Sequence, residues 1–444
     1  MPQFFLHNFG CRATQADGSA IQRRLAGHGL TQAASAEAAD VVVFNTCTVT
    51  AAADQDARAA IRRAHRLNPG ARIMVTGCYA QRAPKEVSEL PGVTWVVGNS
   101  HKHLVADIAA GPGGDPGTFV SREALALSAP AFTVVGNIFA HTELIAAPVT
   151  GGDDLISRTR PNLKVQDGCN NRCSFCIIPS VRGQSRSLPL ARAIEETNAL
   201  VAAGYREMVL SGINLGRWGR DFQPQQRFEQ LLRALLAETA IEKIRISSVE
   251  PMDWSDELIS LVAASPRIAK HAHVPLQSGS DRILRAMHRR YRPWHYAEKI
   301  RKIREAMPDA AIGADVMAGF PGETDELFEE SRIFIERLPF TYLHVFTYSS
   351  RPGTPSAAMP NQVPVHVARE RNRVLRELAA EKNLEFRRRF VGRVLDVITL
   401  HTCDDETTEA LSDNYLKVEV SGCHDSNARL VARIQGLTIE GLLA

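Results

Sequence analysis

Residues 165–183 read VQDGCNNRCSFCIIPSVRG, and three of the chain's eight cysteines, Cys169, Cys173 and Cys176, stand in it as C-x-x-x-C-x-x-C. A closed structural zinc site takes four ligands, usually from paired C-x-x-C arms. No fourth cysteine is near, so zinc would need a histidine from elsewhere. A tight three-thiol loop better suits three corners of a cubic iron–sulfur cluster, leaving one iron free to bind a small molecule. Phe175, directly before the last cysteine, would shield such a cluster from water and help set its potential.

The surroundings of this loop set the fold class. From Asn162 onward, apolar runs at 163–166, 207–210, 243–246, 271–274, 312–316 and 342–346 predict strands. Helical patterns separate them, among them 190–203, 227–237, 281–286 and 325–337. Six β/α units predict an α/β partial barrel of the TIM type, (β/α)6, with its function at the C-terminal strand ends. The cysteine loop follows the first strand and belongs to that face.

The first hundred residues repeat a related pattern. FFLHNFGC ends at Cys11, DVVVFNTC at Cys47 and RIMVTGC at Cys78, with helical stretches at 18–28 and 54–67 between them. Alternating β and α predicts a parallel sheet whose strand ends share one edge. Any one of these cysteines could be a small buried residue after a strand. Three in equivalent positions favour convergence.

At 444 residues the chain has room for about three domains at roughly 150 residues each. Its composition, 44% hydrophobic and 23% charged, is that of a globular protein. A net charge of +3 does not by itself indicate a polyanionic partner, so any nucleic-acid surface must be local. MPQFFLHNFGCR lacks a basic n-region, and the uncharged stretch 124–142 is broken by Pro130, Gly136 and Asn137. Neither a signal peptide nor a membrane span is expected, which predicts a soluble cytoplasmic protein. In that reducing compartment clustered cysteines point to metal or catalysis rather than disulfides.

GPGGDPG at 111–117 marks a linker. RFVGRVLDVITL, YLKVEV and RLVARI predict a small all-β module from about residue 389. In YLKVEV, Leu416, Val418 and Val420 take one face, and Tyr415, Lys417 and Glu419 the other. Residues 369–393 carry nine positive against four negative charges. Glu–Arg alternation there fits a solvated helix face. Arg387, Arg388 and Arg389, entering a β module with Tyr415 and Lys417, fit an RNA-binding surface instead. HRRYRPWHY at 288–296 reads either as a second phosphate patch or as a basic helix end.

Cys169, Cys173, Phe175 and Cys176 match the radical S-adenosylmethionine (SAM) signature, C-x-x-x-C-x-aromatic-C. The whole chain resembles the radical SAM methylthiotransferases, through NTCTVT, TGCYAQ, SGINLG, RISSVEP, HVPLQSGSD, DVMAGFPGET and SDNYLKV. NTCTVT, TGCYAQ, CIIP and HVFTYSSRPGTP look most like the MtaB-type branch, which modifies threonylcarbamoyladenosine at position 37 of tRNA. The resemblance implies an N-terminal methylthiotransferase domain (1–112), a linker (113–154), a radical SAM core (155–386) and a C-terminal TRAM domain (387–444), an OB-like β barrel that binds RNA.

By the same resemblance, Cys169, Cys173 and Cys176 hold a 4Fe-4S cluster whose open iron chelates SAM, and reduction cleaves SAM to methionine and a 5′-deoxyadenosyl radical. Cys11, Cys47 and Cys78 hold an auxiliary 4Fe-4S cluster that presents the sulfur, and a second SAM supplies the methyl group. Carbon 2 of adenine bears an unactivated C–H bond, which suits a cofactor radical rather than side-chain acids and bases. Candidate SAM contacts, besides Phe175, are Ser211, Gly212, Asn214, Glu250, Gln277, Ser278 and Asp315. Beyond the cluster ligands no catalytic residue is assigned. Implied partners are tRNA, an electron donor and a sulfur donor, with the enzyme acting as a monomer.

Rival readings are the isopentenyladenosine branch, the branch that modifies a ribosomal-protein aspartate, and a non-enzymatic iron–sulfur RNA-binding or redox-sensing protein. The last leaves six β/α units and an open iron without a role. One departure stands out: the family's first motif is G-C-x-x-N, whereas GCRATQADG places Thr14 at the asparagine position.

Overall fold

The computed structural model describes residues 1–111, 131–141, 144, 159–402 and 406–444. Most of the expected linker (113–154) and part of the uncharged stretch (124–130 and 142) lie outside the described residues.

The first sheet comprises six parallel strands: β1 (Gln3–Asn8), β2 (Thr31–Gln32), β3 (Val41–Thr46), β4 (Arg72–Gly77), β5 (Val93–Gly98) and β6 (Phe132–Val134). Their order is β2-β1-β3-β4-β5-β6. β3 is buried at every position, as a parallel strand covered on both faces should be. Val42 and Val75 pack on Ala57 and Ile61 of α2 (Ala51–Leu67). Val41, Val43 and Met74 face the other way, onto Ile21 and Leu25 of α1 (Arg12–Gly27). Each of the three cysteines marks a strand-to-helix junction. Cys11 caps α1, Cys47 follows β3, and Cys78 opens α3 (Cys78–Arg82). α1 starts well before the helix expected at 18–28 because Thr14 and Asp17 face a buried polar interface, which hides the apolar period of its first turns.

All six expected barrel strands form: β7 (Asn162–Lys164), β10 (Glu207–Ser211), β11 (Lys243–Ile246), β12 (His271–His273), β13 (Ala311–Ala318) and β14 (Tyr342–Thr347). They run parallel as β11-β10-β7 and β12-β13-β14, and an Ile244–Ile268 bridge joins the halves at β11. An extra antiparallel pair, β8 (Gln166–Asp167) with β9 (Arg186–Ser187), pinches the base of the cysteine loop.

The long helix Val365–Arg388 leads from the barrel into the C-terminal module, where Phe386 and Phe390 join a core with Val397, Leu416, Val418 and Leu442. That module is a mixed six-stranded half-barrel, β18-β15-β16-β17-β20-β19: β15 (Val394–Thr402), β16 (Thr407–Ser412), β17 (Lys417–Ser421), β18 (Arg429–Arg433), β19 (Gly436–Leu437) and β20 (Leu442–Leu443). The two last, very short strands carry too few residues to show a period-2 pattern in the sequence.

Buried charge fastens the first sheet to the barrel. Asp17 of α1 meets Lys102 at 2.8 Å, Arg182 at 3.0 Å and the Lys164 ammonium, while Arg182 also grips Asp167 at 3.0 Å. Burial pushes the Asp17 carboxyl up, but Lys102, Lys164 and Arg182 outweigh it and hold it below the usual carboxylate range. A second clasp joins NTCTVT to SSRPGTP: Arg351 donates to Thr48 Oγ1 at 2.9 Å and pairs with Asp54.

Candidate active site

The turn between β1 and α1 lies flat on Cys47. Gly10 has φ +84°, and a Cβ there would come within 2.6 Å of the Cys47 Cβ. β1, β3 and β4 are adjacent parallel strands, so these cysteines stand at one sheet edge, and burial, then the neighbouring Cys78 and Cys11 thiols, push the Cys47 thiol up to about 12. Asn99 Nδ2 donates to Cys78 Sγ at 3.4 Å and to the Val181 carbonyl at 2.7 Å. Cys78 packs on Ile177 and Val181, just past the barrel's last signature cysteine, so the two cysteine sets share a wall. Thr14 occupies its unusual place with two bonds: its hydroxyl lies 3.5 Å from Cys11 Sγ and receives Arg182 Nη2 at 3.3 Å.

In the barrel loop, the Asn171 N–H donates to Cys169 Sγ at 3.4 Å and Asn214 Nδ2 to the same sulfur at 3.7 Å. Cys173 Sγ accepts from Arg289 Nη1 at 3.3 Å, and Arg289 also pairs with Glu250. Burial pushes the Cys176 thiol up to about 12. Phe175 packs edge-on against Phe320, ring centroids 6.5 Å apart.

A cavity of about 540 Å³ lies between these groups, walled by Cys169, Cys173 and Cys176 on one side and by Cys11 and Arg12 on another. Of the expected SAM contacts, Phe175, Gly212, Asn214, Glu250, Gln277 and Asp315 face it. Ser211 and Ser278 do not. Ser278 turns behind the wall to bond Ser331 Oγ at 3.0 Å, and Ser211, in β10, is buried. Asn214 Oδ1, Ser247 Oγ and Gln277 Oε1 are buried at this cavity with no hydrogen-bond partner among the described residues. Unsatisfied polar atoms of this kind suit a polar ligand. Burial pushes the Asp315 carboxyl up, but the neighbouring His273 and His344 imidazoles outweigh it and hold it below the usual carboxylate range. Both imidazoles stand 3.4 Å from its carboxylate.

Sequence reasoning missed Arg289, His273 and His344. Arg289 lay in the 288–296 stretch read as either a phosphate patch or a basic helix end, yet it is 7% exposed and serves the cysteine loop. The interleaved Tyr291 and Tyr296, both buried, were the signal that this run turns inward. The expected RNA surface divides similarly. Arg387 is buried and donates to the Thr438 and Gly441 carbonyls, both at 2.9 Å, because the helix end is packed against the half-barrel. Tyr415 lines the cavity rather than the surface. Arg388 and Lys417 are exposed, and Arg389 is exposed with Asp309 at 3.2 Å.

Residues 3–98 match the family described as uncharacterized protein family UPF0004, and residues 163–335 match the radical SAM superfamily. The threonylcarbamoyladenosine tRNA methylthiotransferase MtaB of Bacillus subtilis is 36% identical, covering 96% of this chain and 92% of its own length. The Aquifex aeolicus MtaB is also 36% identical, over 93% of this chain and 95% of its own. The chain belongs to the radical SAM methylthiotransferases. A Thermobifida fusca tRNA-2-methylthio-N(6)-dimethylallyladenosine synthase is 36% identical too, but over 88% of this chain and 77% of its own. In fold, this methylthiotransferase is similar to the radical SAM methyltransferase TsrM of Kitasatospora setae, with TM-score 0.57 and 16% identity over 80% of this chain and 77% of that one. Membership in the radical SAM methylthiotransferases implies a 4Fe-4S cluster and SAM, and a donor set of three thiols fits such a cluster. Among the described residues, no helix of the methylthiotransferase is long and apolar enough to cross a membrane.

Proposed function

We propose that the protein methylthiolates carbon 2 of N6-threonylcarbamoyladenosine at position 37 of tRNA. The observation that carries this reading is the cavity itself, where Cys11 and the three loop cysteines edge one space. About 540 Å³ is within the range of small-ligand sites. The full-length similarity to MtaB proteins supports the choice of nucleoside.

In this reading Cys169, Cys173 and Cys176 hold the SAM-binding cluster, and Cys11, Cys47 and Cys78 the auxiliary one. When bound, the clusters and SAM supply radical C–H cleavage, a sulfur atom and a methyl group. The chain's own groups prepare the site. Asn171 and Asn214 donate to Cys169 Sγ and work against the burial that pushes its thiol up, and Arg289 donates to Cys173 Sγ. Asn214 Oδ1 and Gln277 Oε1 await donors such as an amino group or ribose hydroxyl.

We assign residues 1–112 to the auxiliary-cluster domain, 155–386 to the radical SAM core and 387–444 to RNA docking, with Arg388, Arg389 and Lys417 towards phosphate. A cytoplasmic monomer drawing on a separate electron donor and sulfur donor completes the proposal. Nucleosides of tRNA from a deletion strain test it by mass spectrometry. Threonylcarbamoyladenosine should persist while its 2-methylthio form disappears. Loss of methylthio-isopentenyladenosine instead would assign the enzyme to the rival branch.

A further inference from the structure

The cavity has two ends. The cysteine loop lies at the C-terminal ends of the barrel strands, whereas His271 and Tyr342 are the first residues of β12 and β14 and form the far wall. Tyr415, reaching in from the C-terminal module, stacks on His271 at 4.6 Å and on Tyr342 at 6.1 Å. It adopts φ +67°, a left-handed conformation unusual for tyrosine. The turn that imposes it is secured by Ser412, whose hydroxyl accepts the Leu416 N–H at 2.8 Å and donates to Asn414 Oδ1 at 2.7 Å. A strained backbone held this firmly is a reason to ask what the side chain does.

What it does is hold Arg12. Arg12 Nη2 donates to the Tyr415 hydroxyl at 2.9 Å. Arg160 and Arg245 lie nearby and share Glu207, at 3.7 and 2.8 Å. Among the described residues, no carboxylate pairs with Arg12. Burial, His273, Arg12 and Arg245 all drive His271 towards the neutral form, so it adds no competing charge. The far end therefore presents a guanidinium whose partner is the Tyr415 hydroxyl, in a wall of stacked rings.

We propose that Arg12, braced by Tyr415, is a specificity-determining residue that binds the carboxylate of the N6 substituent on the substrate base. This rests on the threonylcarbamoyladenosine reading given above. Carbon 2 and carbon 6 of adenine flank N1 and their outward bonds diverge, so with carbon 2 turned towards the cysteines the N6 group is directed to a different wall of the cavity. A threonylcarbamoyl group ends in a carboxylate, which a guanidinium can grip with two parallel hydrogen bonds. An isopentenyl group has no acceptor, and it would fill the space while leaving the cation unpaired. Sites built to bond a polar group reject analogues lacking it far more strongly than apolar pockets reject a misfit.

The test uses anaerobically reconstituted holoenzyme and anticodon stem-loops bearing at position 37 either threonylcarbamoyladenosine or its uncharged methyl ester. Affinity is measured without turnover, at one salt concentration, alongside iron content. Wild type should bind the acid at least about 10-fold more tightly than the ester. Arg12→Leu should lose that preference by weakening the acid alone, and Arg12→Lys should restore part of it. Arg12 adjoins Cys11, so Tyr415→Phe, which keeps the ring and removes the hydroxyl, serves as the variant remote from the cysteines. It should narrow the preference severalfold. Equal weakening of both RNAs by Arg12→Leu would make Arg12 a backbone contact and overturn the proposal, as would a fully iron-loaded Arg12→Leu that keeps the preference. Wild type that modifies isopentenyladenosine RNA and ignores the acid would instead reject the substrate reading itself.

Discussion

The protein carries two sets of three cysteines and builds them by opposite means. Cys169, Cys173 and Cys176 share one loop, pinched at its base by β8 and β9. Closing so short a loop costs little chain entropy, and its neighbours Asn214 and Arg289 come to it from other barrel elements. Cys11, Cys47 and Cys78 come from three strand ends and meet only because a parallel sheet brings those ends to one edge. The first set is a local property of sequence. The second is a property of the fold, so damage to the fold should reach it first.

The largest expected effect is on the local set. Cys173→Ala removes one of the proposed loop ligands and should abolish reductive SAM cleavage while about half the iron remains, given two similar clusters. Cys47→Ala is its counterpart: a similar iron loss, SAM cleavage retained and methylthio transfer gone. Iron, 5′-deoxyadenosine and nucleoside assays on each variant decide the pair, and SAM cleavage by Cys173→Ala would refute the loop assignment.

A global effect comes next. Asp17→Asn strips the charge that faces Lys102, Lys164 and Arg182, and breaking a buried pair costs about 3–5 kcal/mol. Urea denaturation of the apo chain would read it. The wild-type carboxyl is held below its ordinary value, so its stabilisation is present above the unfolded value near 3.8 and lost as pH falls beneath it. Asp17→Asn should therefore flatten the acid limb of the stability profile. An unchanged limb would mean the network contributes nothing to pH dependence.

The smallest effect is the most pointed. Gly10→Ala would place a Cβ within 2.6 Å of Cys47 at φ +84°, a strain of about 1–3 kcal/mol. It should reduce auxiliary iron and leave SAM cleavage intact. Equal loss of both clusters would show that the two sites are not independent.

The fold was legible because its signals were periodic: six barrel strands and the sheet's three cysteine-ending strands formed where apolar runs stood. The cysteines were legible for the same reason, by spacing in the loop and by equivalent position in the sheet. Arg289, Arg12 and Tyr415 were not. Each is a polar residue whose direction depends on elements distant in sequence, and Arg387 looked like surface charge until the helix end packed against Thr438 and Gly441. Composition tells which groups are charged but not which way a helix end or turn will aim them.

Tyr415 belongs to the C-terminal module yet closes the barrel cavity from inside. That couples two parts otherwise regarded as handle and tool. A chimera carrying the corresponding module of a relative would change the lining of its own reaction chamber along with its grip on RNA, so these modules cannot be exchanged as independent cassettes. Truncation before β15 would likewise unroof the chamber, and a lost activity could not then be credited to weaker docking alone.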